Sequence, residues 1–301
     1  PEGVELSPED IAAAFKRIDV SSAAGSFTGW TNGVIKSLVL SSHDSLREGL
    51  IAAFTGLTNC FCAGKASQHV AYMWAISRAV LLEKLPIGYR PLGIGEDWYR
   101  VMARAMAKYT APDAGNYLLP LQLGTGVKGG VEIAARMARL TLRSGNERTP
   151  MALICIDQSN AFNTCRRDHI LEGLKEGLPG LCRFFTLFHS FSSELRSGTG
   201  ELLGYSQTGV HQGDPLGGTY HNMGFQPTLV ELDERIRTLV KHASPTDREP
   251  PCAVFAIHDD SYVALPPRLA NEGVRIINAL FEERGIQLNV SKCKIISDQD
   301  I

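Results

Sequence analysis

Between Val254 and Leu265 the chain reads VFAIHDDSYVAL, where two adjacent aspartates, Asp259 and Asp260, interrupt a run rich in β-formers. The flanking segments CAVFAIH and SYVAL have the length and residue types of two short buried strands, with the aspartates where a hairpin would turn. Two carboxylates about 4 Å apart at an effective dielectric of ~20 repel by roughly 4 kcal/mol, so the pair needs a cation or a proton. Taken alone, the pair reads best as a solvated Asp-Asp turn. A third carboxylate changes that reading. Asp157 ends MALICID, a continuous apolar run with the pattern of a fully buried strand. Three aspartates on the ends of neighbouring strands, without a Cys or His set nearby, favour Mg2+ in a two-metal site.

The 301 residues suffice for one large domain or two smaller ones with an ample core. A hydrophobic fraction of 44% with 21% charged residues describes an ordinary globular chain. No apolar run reaches the roughly 18 residues that span a bilayer, and no signal peptide opens the chain. The polar opening PEGVELSPED lacks an initiator methionine, which suggests an excised segment. There are seven cysteines and no CxxC pair. That pattern points away from zinc and toward reduced thiols in an intracellular protein of the nucleus or cytoplasm. The net charge of −2 argues mildly against a strong nucleic-acid binder but averages two unlike regions. Residues 78–148 carry eleven Lys or Arg against six acids, which leaves −7 for the remainder. Such a split suits a protein that grips a polyanion in one region and cations in another. Several of these arginines also have the helical spacing of a solvated face.

The first 85 residues have mostly helical periodicity. Ser7-Pro8-Glu9 is a helix start, and SLREGLIAAFTGLTNCF and SQHVAYMWAISRAVLLEKL continue the pattern. From Pro86 the texture changes to a strand and turn in PIGYRPLGIG, then a helix in EDWYRVMARAMAKYT. After MALICID come helices around HILEGLKEGL and LCRFFTLFHSF, a strand and turn in YSQTGVHQGDP, and a long helix over LGGTYHNMGFQPTLVELDERIRTLVKH. In that turn Asp214 is the expected helix N-cap with Pro215 at the first helical position. The C-terminal part reads helix (EGVRIINALFEER), stop at Gly285, strand (IQLNV), turn and strand (CKIIS). Gly124, Gly126 and Gly129 satisfy G-x-G-x-x-G, but the acid at dinucleotide-site spacing, Glu147, lies in the polar turn SGNERTP, so a loop is expected.

Four stretches in order, IDQSNAFN (156–163), GVHQGDPLG (209–217), IHDD (257–260) and GIQLNVSKCKI (285–295), resemble the A, B, C and D motifs of reverse transcriptases, most closely the non-LTR retrotransposon group. YRPLGIGEDWYR is similar to the fingers motif of that group. LQLGTGVKGGVE resembles the stretch before motif A, and SSAAGSFTGWT an upstream loop. The likeness spans nearly the whole chain. It implies an α+β right-hand polymerase fold, with fingers and an antiparallel palm sheet backed by helices. On that division 1–85 is a helical extension with part of the fingers, 86–150 fingers, and 151–301 palm. The resemblance ends after motif D, which implies that the thumb is absent and is supplied by a larger polyprotein or a protein partner.

The resemblance also implies roles. Asp157, Asp259 and Asp260 would hold two Mg2+ ions (Mn2+ is an alternative), with the Gln158 carbonyl as a further ligand. One ion would activate a primer 3′-hydroxyl and the other hold triphosphate. Phe162 would be the steric gate that excludes a ribose 2′-hydroxyl. Gln212 and Gly213 would lie along the incoming deoxynucleotide. Arg90 would grip triphosphate, a bidentate task suited to guanidinium, with Lys84 as a possible assistant despite its unusual spacing. Lys292 would protonate pyrophosphate, although an exposed hairpin lysine is an equal alternative. The implied partners are an RNA template, a DNA primer or nicked DNA target, and deoxynucleotides. His258 stands where the group has an apolar or aromatic residue, and beside metals it would titrate near neutral pH. Two other classes stay open: a domesticated or inactive RNA-binding scaffold of the same fold, and an RNA-dependent RNA polymerase. The intact aspartates weigh against the first. Phe162 and the Q-G-D-P sequence weigh against the second.

Overall fold

The computed structural model describes residues 2–21, 28–41, 43–83, 89–144, 150–243 and 252–297. Among these, eleven α-helices and two four-stranded sheets make a mixed α/β structure. In chain order the first half comprises α1 (Pro8–Lys16), α2 (Asn32–Ser41), α3 (Asp44–Cys62), α4 (Gln68–Ala75), β1 (Ser77–Glu83), β2 (Tyr89–Ile94), α5 (Asp97–Leu118) and α6 (Gly130–Ser144). The second half comprises β3 (Ala152–Ile156), α7 (Ala161–Thr164), α8 (Arg167–Gly177), α9 (Cys182–His189), β4 (Ser193–Arg196), β5 (Leu202–Ser206), α10 (Gly217–His242), β6 (Ala253–Ile257), β7 (Asp260–Leu265), α11 (Ala270–Glu283) and β8 (Lys294–Ser297).

Local chemistry explains several boundaries. Ser7 caps α1: its hydroxyl accepts the Asp10 N–H while the Asp10 carboxylate accepts the Ser7 N–H. Gly285 ends the α11 region at φ +68°, a conformation that costs a side-chain-bearing residue more. The helix expected to run through SRAVLLEKL instead stops at Ala75, and residues 77–83 form β1. Ala, Leu and Glu favour helix locally. Antiparallel pairing with β2 and parallel pairing with β4 override that preference. Position 85/86, the expected domain boundary, therefore falls between two paired strands. IQLNV is not a strand either. Only Leu288 makes a bridge, to Gln158, and the chain then turns, with the N–H groups of Lys292 and Cys293 donating to the Asn289 carbonyl.

The first sheet has the order β2-β1-β4-β5 and the second β6-β7-β3-β8, which is antiparallel throughout. Strands β3, β6 and β7 of the second are covered on both faces, which accounts for their nearly continuous apolar sequences, whereas the edge strand β8 is exposed at Ile295 and Ile296. Ile154, Ile156, Val254 and Val263 pack with Leu229, Ile236, Ile277 and Phe281 of α10 and α11. Leu153, Phe255 and Ala264 face the other way, onto Leu123 in the segment before α6 and Ala134 of α6. A separate core joins α1, α3, α5, α8 and α9 through side chains such as Phe15, Phe61, Met102 and Phe184. Helices α8 and α10 cross with backbones nearly touching at Gly173 and Gly224. All seven cysteines are free thiols. Among the described residues no helix is long and apolar enough to cross a membrane.

Candidate active site

The register of the second sheet brings the three aspartates to one end. Ile156 pairs with Ser261 and Ile257 with Asp260, so Asp157, one residue beyond β3, emerges beside the β6–β7 turn. That turn is His258-Asp259, and Asp260 already belongs to β7. His258 has φ +53°, unusual for a side-chain-bearing residue, and is held from both sides by one amide. Its N–H donates to Gln122 Oε1 (2.8 Å), and the Gln122 side chain donates back to its carbonyl (3.0 Å).

The segment after Asp157 is fixed by the stretch expected to contain the motif D lysine. Asn289 N–H donates to the Asp157 carbonyl (2.8 Å), Ser159 N–H to that of Gln287 (2.8 Å), and Asp157 N–H to Cys293 Sγ (3.4 Å). Lys292 Nζ comes within 3.8 Å of Asp157 Oδ1. These residues border a polar cleft of about 380 Å³, on which Asp259, Asp260, Gln158 and Gln212 also open. The volume suits a ligand of nucleotide size.

The electrostatics are those of unbalanced anions. Burial first, then the charges of Asp259 and Asp157, hold the Asp260 carboxyl above its ordinary range. Burial outweighs the neighbouring Asp259 charge at His258 and lowers its pKa, so the expected titration near neutral pH is moved downward. Among the described residues no group of three or more His, Cys, Asp or Glu side chains is placed to hold a metal ion. The oxygen-only donors still suit Mg2+, which is usually bound through one or two carboxylates, with waters and substrate phosphates completing its shell.

Other expected residues are placed as follows. Arg90 lies in β2 opposite Leu82. Its side chain, and Lys84 altogether, lie outside the described residues. Phe162 sits in α7 next to the cleft but does not border it; Ala161 and Asn163 do, and the Phe162 ring packs behind them on His221. Gly213 does not reach the cleft and packs on the backbone of Gly93. Asp214 is not the N-cap of α10, which starts at Gly217 after Leu216. Its carboxylate instead accepts the Leu216 N–H (2.9 Å) and the Tyr99 hydroxyl (2.7 Å), closing the preceding turn. Gly126 and Gly129 are turn residues with φ +73° and +71°, as expected of a loop.

Sequence reasoning missed Tyr89, Asn160, Asn163 and Asn289 at the cleft. All four lie within the stretches quoted above, so proximity to Arg90, Phe162 and Lys292 was their available signal. It also missed His221, Asn222 and Gln122, which nothing local marks. No protein-family model matches the chain. No curated protein matches it.

Proposed function

We propose that the chain is the catalytic module of an RNA-directed DNA polymerase of a retroelement, extending a primer 3′-hydroxyl with deoxynucleotides on an RNA template. The observation that carries this reading is the convergence of Asp157, Asp259, Asp260, Gln212 and Lys292 on one open polar cleft. They come from four separate stretches of the chain, those that resemble motifs A to D. On this reading the β6-β7-β3-β8 sheet is a palm and the β2-β1-β4-β5 sheet belongs to the fingers.

Asp157, Asp259 and Asp260, with the Gln158 carbonyl, would hold the divalent ions. Such ions, when bound, make the 3′-hydroxyl more acidic and neutralise triphosphate charge. The remaining work belongs to the chain. Gln212 orients the nucleotide along the turn before α10, Arg90 clamps triphosphate oxygens, and Lys292 delivers a proton to pyrophosphate once released from Asp157. Phe162 opposes a ribose 2′-hydroxyl.

The test is Mg2+-dependent primer extension on an RNA template by the wild type and by Asp157→Ala. The expected result is extension by the wild type alone. Binding of primer–template without extension by either protein would replace this reading with that of an RNA-binding scaffold.

A further inference from the structure

The Phe162 ring lies nearly parallel to the imidazole of His221, with centroids 4.7 Å apart and planes inclined by 21°. His221 is 1% exposed and sits in the first turns of α10. Phe225, one turn further along α10, touches the same imidazole at 5.7 Å, and Phe281 of α11 meets Phe225 at 5.9 Å. A ladder of rings thus runs from the edge of the cleft into the core beneath the second sheet.

The imidazole is also held in its plane by polar contacts. Its Nδ1 is 3.3 Å from Asn222 Oδ1, and the same oxygen is 3.2 Å from His258 Nδ1. The Asn222 amide is fully buried and donates to Thr125 Oγ1 (2.8 Å). The support under Phe162 is therefore tied to the turn carrying Asp259 and to the loop before α6.

His221 is fully buried behind the partly exposed Phe162 ring, so it is out of reach of a reacting group. Burial also keeps its ring neutral, which suits a flat packing surface rather than an acid or base. What it can do is decide where the Phe162 ring stands. We propose that His221 is a positioning residue that fixes the height of the Phe162 ring and thereby sets discrimination between deoxyribose and ribose. This rests on the polymerase reading above. Without the imidazole the Phe162 ring can drop toward Phe225, which opens room for a 2′-hydroxyl.

The experiment compares wild type, Phe162→Ala, His221→Ala and His221→Phe in primer extension, with kcat and KM measured separately for dCTP and CTP. Relative to dCTP, CTP use should rise roughly tenfold in His221→Ala, through a lower KM for CTP, in the direction of Phe162→Ala. His221→Phe restores a ring and should return selectivity toward wild type. Loss of kcat for both nucleotides with unchanged selectivity would overturn the proposal, since that is what a merely structural role predicts. An unfolding double-mutant cycle on Phe162→Ala and His221→Ala gives a readout without catalysis, and additive effects would also overturn it. If the wild type extends no primer with any nucleotide, the polymerase reading itself fails and takes this inference with it. Active wild type with unaltered selectivity in His221→Ala removes this inference alone.

Discussion

A Cβ atom added to Gly213 would stand 2.7 Å from the carbonyl oxygen of Gly93, so the turn leading into α10 lies with its backbone directly against β2. The turn and the first sheet meet here backbone to backbone, one residue from Gln212, which borders the cleft. Gly213→Ala must push backbone from backbone, which costs about 1–3 kcal/mol by the usual range for overpacking. Its melting temperature should fall, and primer extension should fall with it. Gly198→Ala is the control, because a Cβ there meets nothing within 4 Å. Equal melting temperatures for the two variants would show that the contact is not tight.

Arg167 holds the same region from the other side. Its guanidinium donates to the carbonyls of Gly209 (3.1 Å), His189 (3.1 Å), Phe191 (2.9 Å) and Ser206 (3.2 Å), and the Ser206 hydroxyl also lies within reach. A planar fork serves these scattered acceptors, whereas an ammonium cannot. Arg167→Lys should therefore lose about 2–4 kcal/mol, since several buried carbonyls are left without donors. Arg166→Ala, which removes only a surface pair with Asp168, should leave the denaturation midpoint in place. Chemical denaturation of the two variants in parallel checks the contrast.

The parts of this fold that were legible in the sequence are those with a local energetic signature. β3 and the β6–β7 hairpin announce themselves by apolar runs, and the three aspartates by charge placed where burial makes it expensive. Helix α10 survives an internal Pro227 because its buried face repeats through Tyr220, Leu229, Leu232 and Ile236. β1 was illegible because its residues prefer helix, and only distant partners, β2 and β4, make it a strand. The β4–β5 hairpin carries no long apolar run: β4 has no signal, and the strand expected in YSQTGVHQGDP overlaps β5 only at Tyr205 and Ser206. At the site, Asp157 could be named from its place at the end of an apolar run, and Lys292 only from the resemblance to motif D. The Gln122–His258–Asn222–His221 support could not, because a buried polar residue has meaning only through partners far away in sequence.

Acid should weaken the fold through three buried histidines, His189, His211 and His221. Burial, then the Arg167 charge, pushes His189 down to about 3 and His211 down to about 4, from 6.5. The unfolded chain takes these protons first. Their contribution is complete above about pH 6.5 and is lost as pH falls toward the folded values. Asp214 works the other way: burial raises it to about 6 from 3.8, so its contribution is full below 3.8 and is lost as pH rises through 6. With His221, which burial also lowers to about 4, three imidazoles oppose one carboxyl between these limits, so the net effect is a loss of stability as pH falls. The denaturation midpoint should therefore drop from about pH 6 to about pH 4.5, and His189→Asn should flatten the slope. A wild-type midpoint that stays level over that interval would refute the assignment.

Removing a carboxylate from the cleft should stabilise the protein in the absence of divalent ions. The Asp260 carboxyl is raised by burial and by Asp259 and Asp157, so its ionised form is disfavoured in the folded chain above its folded pKa. Lys292 offsets only part of this, at 3.8 Å from Asp157 and half exposed. Asp259→Asn removes one source of repulsion and should leave the melting temperature in chelator unchanged or higher, by up to about 1 kcal/mol for partly solvated charges. Saturating Mg2+ should then reverse the order. An ion at about a hundred times its dissociation constant stabilises the wild type by roughly 2.7 kcal/mol, and the variant by less because it has lost a ligand. The pair of melting curves separates two properties that activity alone confounds. A gain in chelator without a Mg2+ response in wild type would mean that the aspartates repel one another but do not bind the ion. A Mg2+ response confined to the wild type ties the repulsion to metal binding, because a site that holds divalent ions must be strained without them.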